Sequence, residues 1–586
     1  MQSTATPQER FKIRRVLMIN PPGVSESDFR LDMAMAQRYW SYPPYGAAVL
    51  AAVLKSHGYE VQILDLNVWM LRTAQVFGRG GMSFDYKNNL QWRLRTTLLT
   101  FQPDIVGVSV MFTMQHEAMK QILAFCKKGG YRTMAGGVHV SNAPEMILTE
   151  CKGVLDYLCL YESERSLPAL LNAINFGTAT AWHEVGQVIE NFPMSHVPYE
   201  KRLMPEAKDI PAPDYCGIEL ADYEDAGQVG TYRFLRERTV RASSSLSTRG
   251  CRAKCTFCSV RSFNGPGVRK REVEAVVDEI QSFCEKDGIG HITWLDDDLL
   301  FDRRRALALF NEITARRLAI TWDASNGLIA AAIDAELLDA MVASGCVGFN
   351  LGIESGSPEI LRSVKKPGTV ERYLQCAELL KKYPQLFVKA FMILGFLGET
   401  LKQIKQSVDL VLQMGVDWSA WQTLSPLPST EMYRAMADQG LLEDGKETNG
   451  RGFMAGIFSS LNQRAREEAQ KADASQFFDL LSGNDLDHVP DKADLADLWF
   501  IADYRSNYFP IFDMAPGPKL ENKRKMLLDV CDRVTKDNPL GNYFLSVIEM
   551  KGGDLDAAHF RARECQKFLN ESEYWQRRFE TLGIEA

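Results

Sequence analysis

Twice along this chain of 586 residues, short runs of β-branched and apolar residues alternate with helix-like segments. A chain patterned that way folds into parallel sheets flanked by helices, so the expected class is α/β. In the first block, residues 14 to 175, the predicted strands are Val16 to Asn20, Val61 to Leu66, Ile105 to Val110, Tyr131 to Ala135 and Leu155 to Leu160. Helix-like segments such as Gly46 to His57 and Gln115 to Lys128 separate them, the order of a doubly wound, Rossmann-like sheet. The second block runs from Ser245 to about Pro428. Its predicted strands are Ser245 to Thr248, Ile292 to Leu295, Ile320 to Ala324, Gly348 to Ile353, Phe387 to Leu394 and Trp418 to Leu424. Six such units fit an open, partial (β/α)6 barrel whose site lies at the carboxyl ends of the strands.

Three cysteines fall on the second block's first strand-to-helix loop, in Ser247-Thr248-Arg249-Gly250-Cys251-Arg252-Ala253-Lys254-Cys255-Thr256-Phe257-Cys258. Three thiolates without a fourth cysteine or histidine just beyond are one ligand short of a closed tetrahedral site. They can hold three irons of a four-iron cluster and leave the fourth open to a ligand. The competing assignments are a zinc site completed by a distant residue such as His291, or three unrelated buried thiols. The nine other cysteines form no second close pair and read as small buried hydrophobes. Their usage points to a reducing cytoplasm.

The strand ends of the first block also carry unusual residues: Pro21-Pro22-Gly23, Ser109 to Thr113, Gly136-Gly137-Val138-His139 and Tyr161-Glu162-Ser163-Glu164. Paired glycines let the backbone approach a bulky ligand, and serine can hydrogen-bond it. No G-x-G-x-x-G follows the first strand, which argues against a dinucleotide.

The cysteine spacing, with an aromatic before the last thiol, resembles the cluster loop of radical S-adenosylmethionine (SAM) enzymes. The first block, with Tyr42-Pro43-Pro44-Tyr45-Gly46 and the paired glycines, is similar to the cobalamin-binding domain ahead of many of them. The combination resembles the cobalamin-dependent radical SAM family, most of whose members are methyltransferases. That resemblance implies a [4Fe-4S] cluster on Cys251, Cys255 and Cys258, a SAM bound at the open iron, and cobalamin on the first sheet. Cobalamin contacts are expected from Ser109, Thr113, Gly136, Gly137, Val138, His139 and Glu162. SAM contacts are expected near Phe257, from Asp296 and Asp297 of Trp294-Leu295-Asp296-Asp297-Asp298, from Glu354 in Gly352-Ile353-Glu354-Ser355-Gly356, and from Gly395 and Glu399 in Ile393 to Thr400. Helix capping is the competing role for Glu399. Asp-x-His-x-x-Gly, the loop whose histidine ligates cobalt in many cobalamin proteins, is missing. By the same resemblance, that absence favours methyl transfer from a weakly ligated cobalt to an unactivated carbon, through a 5'-deoxyadenosyl radical.

A cyclisation or rearrangement using the same cofactors, a radical SAM enzyme that has lost cobalamin, and a non-catalytic corrinoid- or metal-binding module are the alternatives. No general base is assigned, and an external one-electron reductant is expected.

At this length about three or four domains are expected: a cobalamin-binding domain at 1–175, a linker at 176–240, a radical core at 241–449 and a helical domain at 450–586. The linker, with Pro193, Pro198, Pro205, Pro211 and Pro213, reads as one that wraps rather than packs. Trp499, Phe500, Tyr504 and Tyr508 can line a substrate cavity or form helical core. The apolar share of 46% and charged share of 24% exclude disordered and collagen-like classes. A net charge of -8 argues against a nucleic-acid scaffold, and no run of apolar residues is long enough for a membrane span. A small-molecule or peptide substrate is therefore expected. Replacing Cys255 with alanine is expected to abolish the brown cluster chromophore and adenosyl formation. Absorbance and product chromatography after anaerobic reconstitution check this.

Overall fold

The computed structural model describes residues 12–176, 187–190, 203–237, 239–442, 486–535 and 537–585. Pro193 and Pro198 of the expected linker and residues 450–485 of the expected helical domain lie outside the described residues.

The first sheet contains β1 (Arg15–Asn20), β2 (Glu60–Asp65), β3 (Ile105–Ser109), β4 (Arg132–Gly136), β5 (Tyr157–Cys159) and β6 (Val188–Glu190). Its order is β2-β1-β3-β4-β5-β6, with the first five strands parallel and β6 antiparallel to β5. The strands are apolar on both faces because helices cover both. Leu17 and Ile19 pack with Met119 and Ile122 on one face, whereas Val16 and Met18 pack with Ala47, Ala51 and Leu170 on the other. The strand order reverses between β1 and β3, and open sheets of this kind bind ligands beyond the strand ends at such a point. Sequence patterning did not show β6, a strand of only three residues.

The second sheet holds β7 (Arg241–Ser245), β10 (Ile289–Trp294), β11 (Thr321–Leu328), β12 (Cys346–Glu354), β13 (Phe387–Leu394) and β14 (Trp418–Thr423). These lie side by side in chain order and all parallel. The intervening β8 (Thr248–Arg249) and β9 (Arg269–Lys270) form a separate antiparallel ribbon. The first barrel strand thus lies earlier than expected, over Arg241–Ser245, and Thr248 belongs to the ribbon. Its Arg-Ala-Ser-Ser-Ser sequence carries no β-branched residue, and only burial of Ser243, Ser244 and Ser245 identifies it.

The described part of the connection packs rather than wraps. Tyr223, Val229 and Tyr232 are fully buried. Tyr232 plugs the barrel: its hydroxyl donates to Asn350 Oδ1 at 2.8 Å, and Lys389 Nζ lies 4.7 Å from its ring while donating to Thr231 O at 3.2 Å. Aromatic residues scattered among prolines have no helical or strand period, so this role was invisible to patterning.

Helices Lys492–Asp503, Pro518–Asp529, Pro539–Gly552, Leu555–Asn570 and Glu573–Leu582 form the C-terminal region. The first of them and the turn Tyr504–Tyr508 that follows it cover the edge strand β14, whose unpaired backbone would otherwise be exposed. Asn507 substitutes for a neighbouring strand: its Oδ1 accepts from Ser419 N at 2.7 Å and its Nδ2 donates to Ser419 O at 2.8 Å. Phe500, Tyr504 and Tyr508 are buried in this packing, and the Trp499 indole donates to Trp421 O at 2.7 Å. The stripe is therefore mainly core. No helix among the described residues is long and apolar enough to cross a membrane. Replacing Asn507 with alanine leaves the Ser419 amide and carbonyl buried and unpaired, and is expected to cost about 1–3 kcal/mol. Thermal denaturation followed by circular dichroism checks this.

Candidate active site

The cysteine loop leaves the ribbon at Gly250, which has φ +88 and whose added Cβ would lie 2.5 Å from Gly267 O. Only glycine fits that crossing. The acidic turn after β10 then holds the loop. Asp296 accepts from Ser247 N at 2.9 Å, Ser247 Oγ at 2.6 Å and Thr248 Oγ1 at 2.7 Å. Asp298 accepts from Arg252 N at 3.2 Å, Nε at 2.7 Å and Nη2 at 2.8 Å. Beyond the cysteines, the main chain is tied to the barrel by Thr256 N donating to Val364 O and Met432 N donating to Thr256 O, both at 3.0 Å.

Cys251, Cys255 and Cys258 are free, partly exposed thiols on this anchored loop. Burial pushes each up to about 11, so binding a metal must displace protons. His291 is no fourth ligand. It is fully buried within the barrel, with Nδ1 2.7 Å from Thr321 Oγ1 and Nε2 2.9 Å from Asp323 Oδ2. The donor set suits a cluster with one open iron better than zinc.

The surrounding carboxylates divide into those already committed and those with spare capacity. Asp296, expected to meet an ammonium, instead anchors the loop, because its oxygens already take three hydrogen bonds from Ser247 and Thr248. Asp297 accepts from Asn264 Nδ2 at 3.0 Å, and burial together with the Asp296 charge pushes it up to about 7. Glu354 sits at the end of β12 with φ 70, in the left-handed region that a glutamate rarely adopts. Its Oε1 accepts from Lys366 Nζ at 2.8 Å. Burial opposes the Lys366 charge, but Glu354 together with Cys255 holds the lysine above its ordinary range. A carboxylate and an ammonium thus stand together close to Cys255.

Glu399 belongs to its own turn. It accepts from Gly395 N at 2.7 Å and Phe396 N at 3.2 Å, while Gly395 takes φ +83. The next helix is capped by Thr400 with Gln403, so helix capping does not describe Glu399. Phe257 packs against Phe396 with the rings tilted by 54° and their centroids 5.5 Å apart, and joins an apolar cluster with Ile360, Val364 and Met432.

On the first sheet, Gly137 has φ +113 and its added Cβ would lie 2.4 Å from Val110 O, while Gly136 packs on Cys159 O. These glycines admit a neighbouring loop as closely as any ligand. Val138 opens a short helix, and His139 is buried with Nε2 3.1 Å from His116 Nδ1. Burial pushes His139 down to about 4, so its ring is neutral at ordinary pH. Ser109 pairs with Gly136 at the end of the ladder, and Thr113 starts a single turn closed by Gln115. Gln115 accepts from Met111 N and Phe112 N and donates to Pro21 O at 3.0 Å, tying the β1 and β3 loops together. Met111 and Phe112 are 54% and 49% exposed beside these glycines. Apolar side chains are thus left uncovered at the switch point.

Glu162 is not on that open surface. It pairs with Arg249 at 2.8 Å and with Arg269, so it joins the first sheet to the cysteine ribbon. Asn142 Oδ1 also accepts from Ser429 Oγ across the two sheets at 2.9 Å. Patterning missed Gln115, Asn264, Lys366, Arg249 and Arg252, and only the last two carried a signal, their place beside Cys251.

Residues 245–411 match the radical SAM superfamily and residues 32–171 match the B12 binding domain. The chain is 26% identical to cytidylyl-2-hydroxyethylphosphonate methyltransferase of Streptomyces wedmorensis, over 84% of this chain and 94% of that one. Its fold is similar to that of the radical SAM methyltransferase TsrM of Kitasatospora setae, solved with cobalamin and a [4Fe-4S] cluster. The TM-score is 0.59 at 17% identity, covering 96% of this chain and 100% of that one. A similar likeness, TM-score 0.59 at 16% identity, covers 98% of this chain and 84% of the cobalamin-dependent SAM radical enzyme OxsB.

Glu399 gives the site a pH dependence. Burial lifts it from 4.5 to about 7, so the folded chain keeps a proton that the unfolded chain releases. The stability from that proton is complete below about 4.5 and is lost as pH rises through about 7. Glu399→Gln is expected to make the fall in melting temperature between about pH 5 and about pH 8 shallower. Asp297 and Asp503, both lifted to about 7 by burial, keep part of the slope. Differential scanning fluorimetry without added SAM checks this.

Proposed function

We propose, from the match of residues 245–411 to the radical SAM superfamily and of residues 32–171 to the B12 binding domain, that this chain is a cobalamin-dependent C-methyltransferase. Its substrate is a small molecule or peptide with an unactivated carbon. The observation behind this assignment is the meeting of two strand-end surfaces. The anchored cysteine loop and the glycine-rich end of the first sheet are joined by the Glu162–Arg249 ion pair and the Ser429–Asn142 hydrogen bond. The methyltransferase relatives support the reaction class.

Cys251, Cys255 and Cys258 would hold the cluster, while Asp297, Glu354 and Lys366 offer charged partners to the amino-acid end of SAM. Gly395, Phe396 and Phe257 supply a turn and apolar wall beside it. Met111, Phe112, Gly136 and Gly137 would receive the corrin. When bound, these groups supply one-electron cleavage of SAM and a transferable methyl group. The chain's own contribution is positioning: it holds reacting centres together and excludes water, so no side chain need move a proton in the bond-forming step. Electrons come from an external one-electron reductant, and the twelve free cysteines suit a reducing cytoplasm.

The experiment is anaerobic reconstitution with iron, sulfide and cobalamin, followed by methyl-labelled SAM and a reductant. Cobalt retention with label passing from SAM to cobalamin is the expected result. Adenosyl formation with no label ever reaching cobalamin would overturn methyl transfer and favour a cyclisation or rearrangement.

A further inference from the structure

We propose that Glu162 and Glu164 are positioning residues that make the order of the cysteine loop depend on docking of the first sheet. The inference rests on Cys251, Cys255 and Cys258 holding the cluster, as proposed above.

In the β8–β9 ribbon, Arg249 lies directly opposite Arg269. Like charges directly opposed across an antiparallel pair destabilise it, and an isolated two-stranded ribbon is marginal to begin with. The neutralising charge comes from the loop after β5. Glu162 Oε1 lies 2.8 Å and Glu164 Oε1 lies 2.6 Å from Arg249 Nη1, and the other oxygen of Glu162 contacts Arg269. Both glutamates are buried, and the Arg249 guanidinium is nearly so. Two guanidinium groups are therefore balanced by two carboxylates supplied by the other sheet. Arg269 also donates to Pro205 O at 2.9 Å, so the connection between the sheets joins the same junction.

Every other anchor described for this loop belongs to the barrel: Asp296 and Asp298 after β10, Val364 O, and Arg305, whose Nη2 donates to Ser247 O at 3.1 Å. The glutamate pair is the ionic contact from the first sheet; beside it, Arg271 Nη1 donates to Tyr45 OH at 2.9 Å and the Tyr161 ring lies 6.4 Å from that of Phe263. Arg249 is separated from Cys251 by Gly250 alone, and Gly250 packs on Gly267 near the other arginine. Spreading the two arginines therefore shifts the backbone that leads into the first thiol. A chain whose first sheet is not docked leaves two opposed guanidinium groups in the ribbon, and the cysteine loop loosens. Radical initiation is thereby tied to the presence of the corrin-binding surface beside it.

The charge balance supplies the test. In the full chain with its cluster reconstituted, Glu162→Gln leaves two arginines facing one carboxylate. Amide exchange in 248–258 and 267–271 is expected to rise about tenfold, while the strands of both sheets keep their protection. Adding Arg269→Gln restores a one-to-one balance and is expected to return exchange to within about threefold of the parent. Unchanged exchange in Glu162→Gln, or a second substitution that deepens the loss, would overturn the clamp. If the single variant does not fold, recovery of a folded, protected ribbon in the double variant supports the clamp, and failure of both overturns it. The exchange is read without substrate, so absence of methyl transfer leaves this test intact. A parent chain that takes up no iron would instead sink the cluster assignment.

Discussion

Parallel strand pairing is the constraint on which the rest of this structure depends. A parallel sheet sends every strand-to-helix loop to the same end, so each sheet gathers its exceptional residues on one rim. Here two such rims meet. The loop after β5 reaches the β8–β9 ribbon through Glu162 and Glu164, and the short helix Val138–Asn142 reaches the loop after β14 through Asn142 and Ser429. In the proposed function, the junction of the two rims would bring a radical formed on one side to a group carried by the other.

The acidic residues near the cysteines show how a buried charged site stays ordered. Asp296 and Asp298 use their oxygens on the loop itself, which fixes its path but leaves little for a ligand. Asp297 and the Glu354–Lys366 pair retain the charged surface. Glu399 stiffens a glycine turn at the cost of a raised carboxylate, since burying a charge with few partners favours its neutral form. Anchoring and spare acceptor capacity are thus split among neighbours that look equivalent in the sequence.

The strands, the cysteine spacing and the glycine pair were legible because each leaves a local mark: a period of apolar residues, a fixed ligand spacing, or a backbone that only glycine allows. The serine-rich first barrel strand was misplaced by several residues because burial, not β-propensity, stabilises it. The plug formed by Tyr232 was read as part of a wrapping linker for a similar reason: its partners, Asn350 and Lys389, are more than a hundred residues away.

By itself the sequence determined the α/β class, the two blocks and the three thiols, because hydrophobic periodicity and short ligand spacing are properties of neighbours along the chain. Tertiary structure alone decided which of Asp296, Asp297 and Asp298 keeps spare acceptor capacity, and that Glu162 spans the two sheets. Those outcomes depend on donors brought from distant segments. A carboxylate's role is set by which cations and N–H groups reach it once water has been excluded.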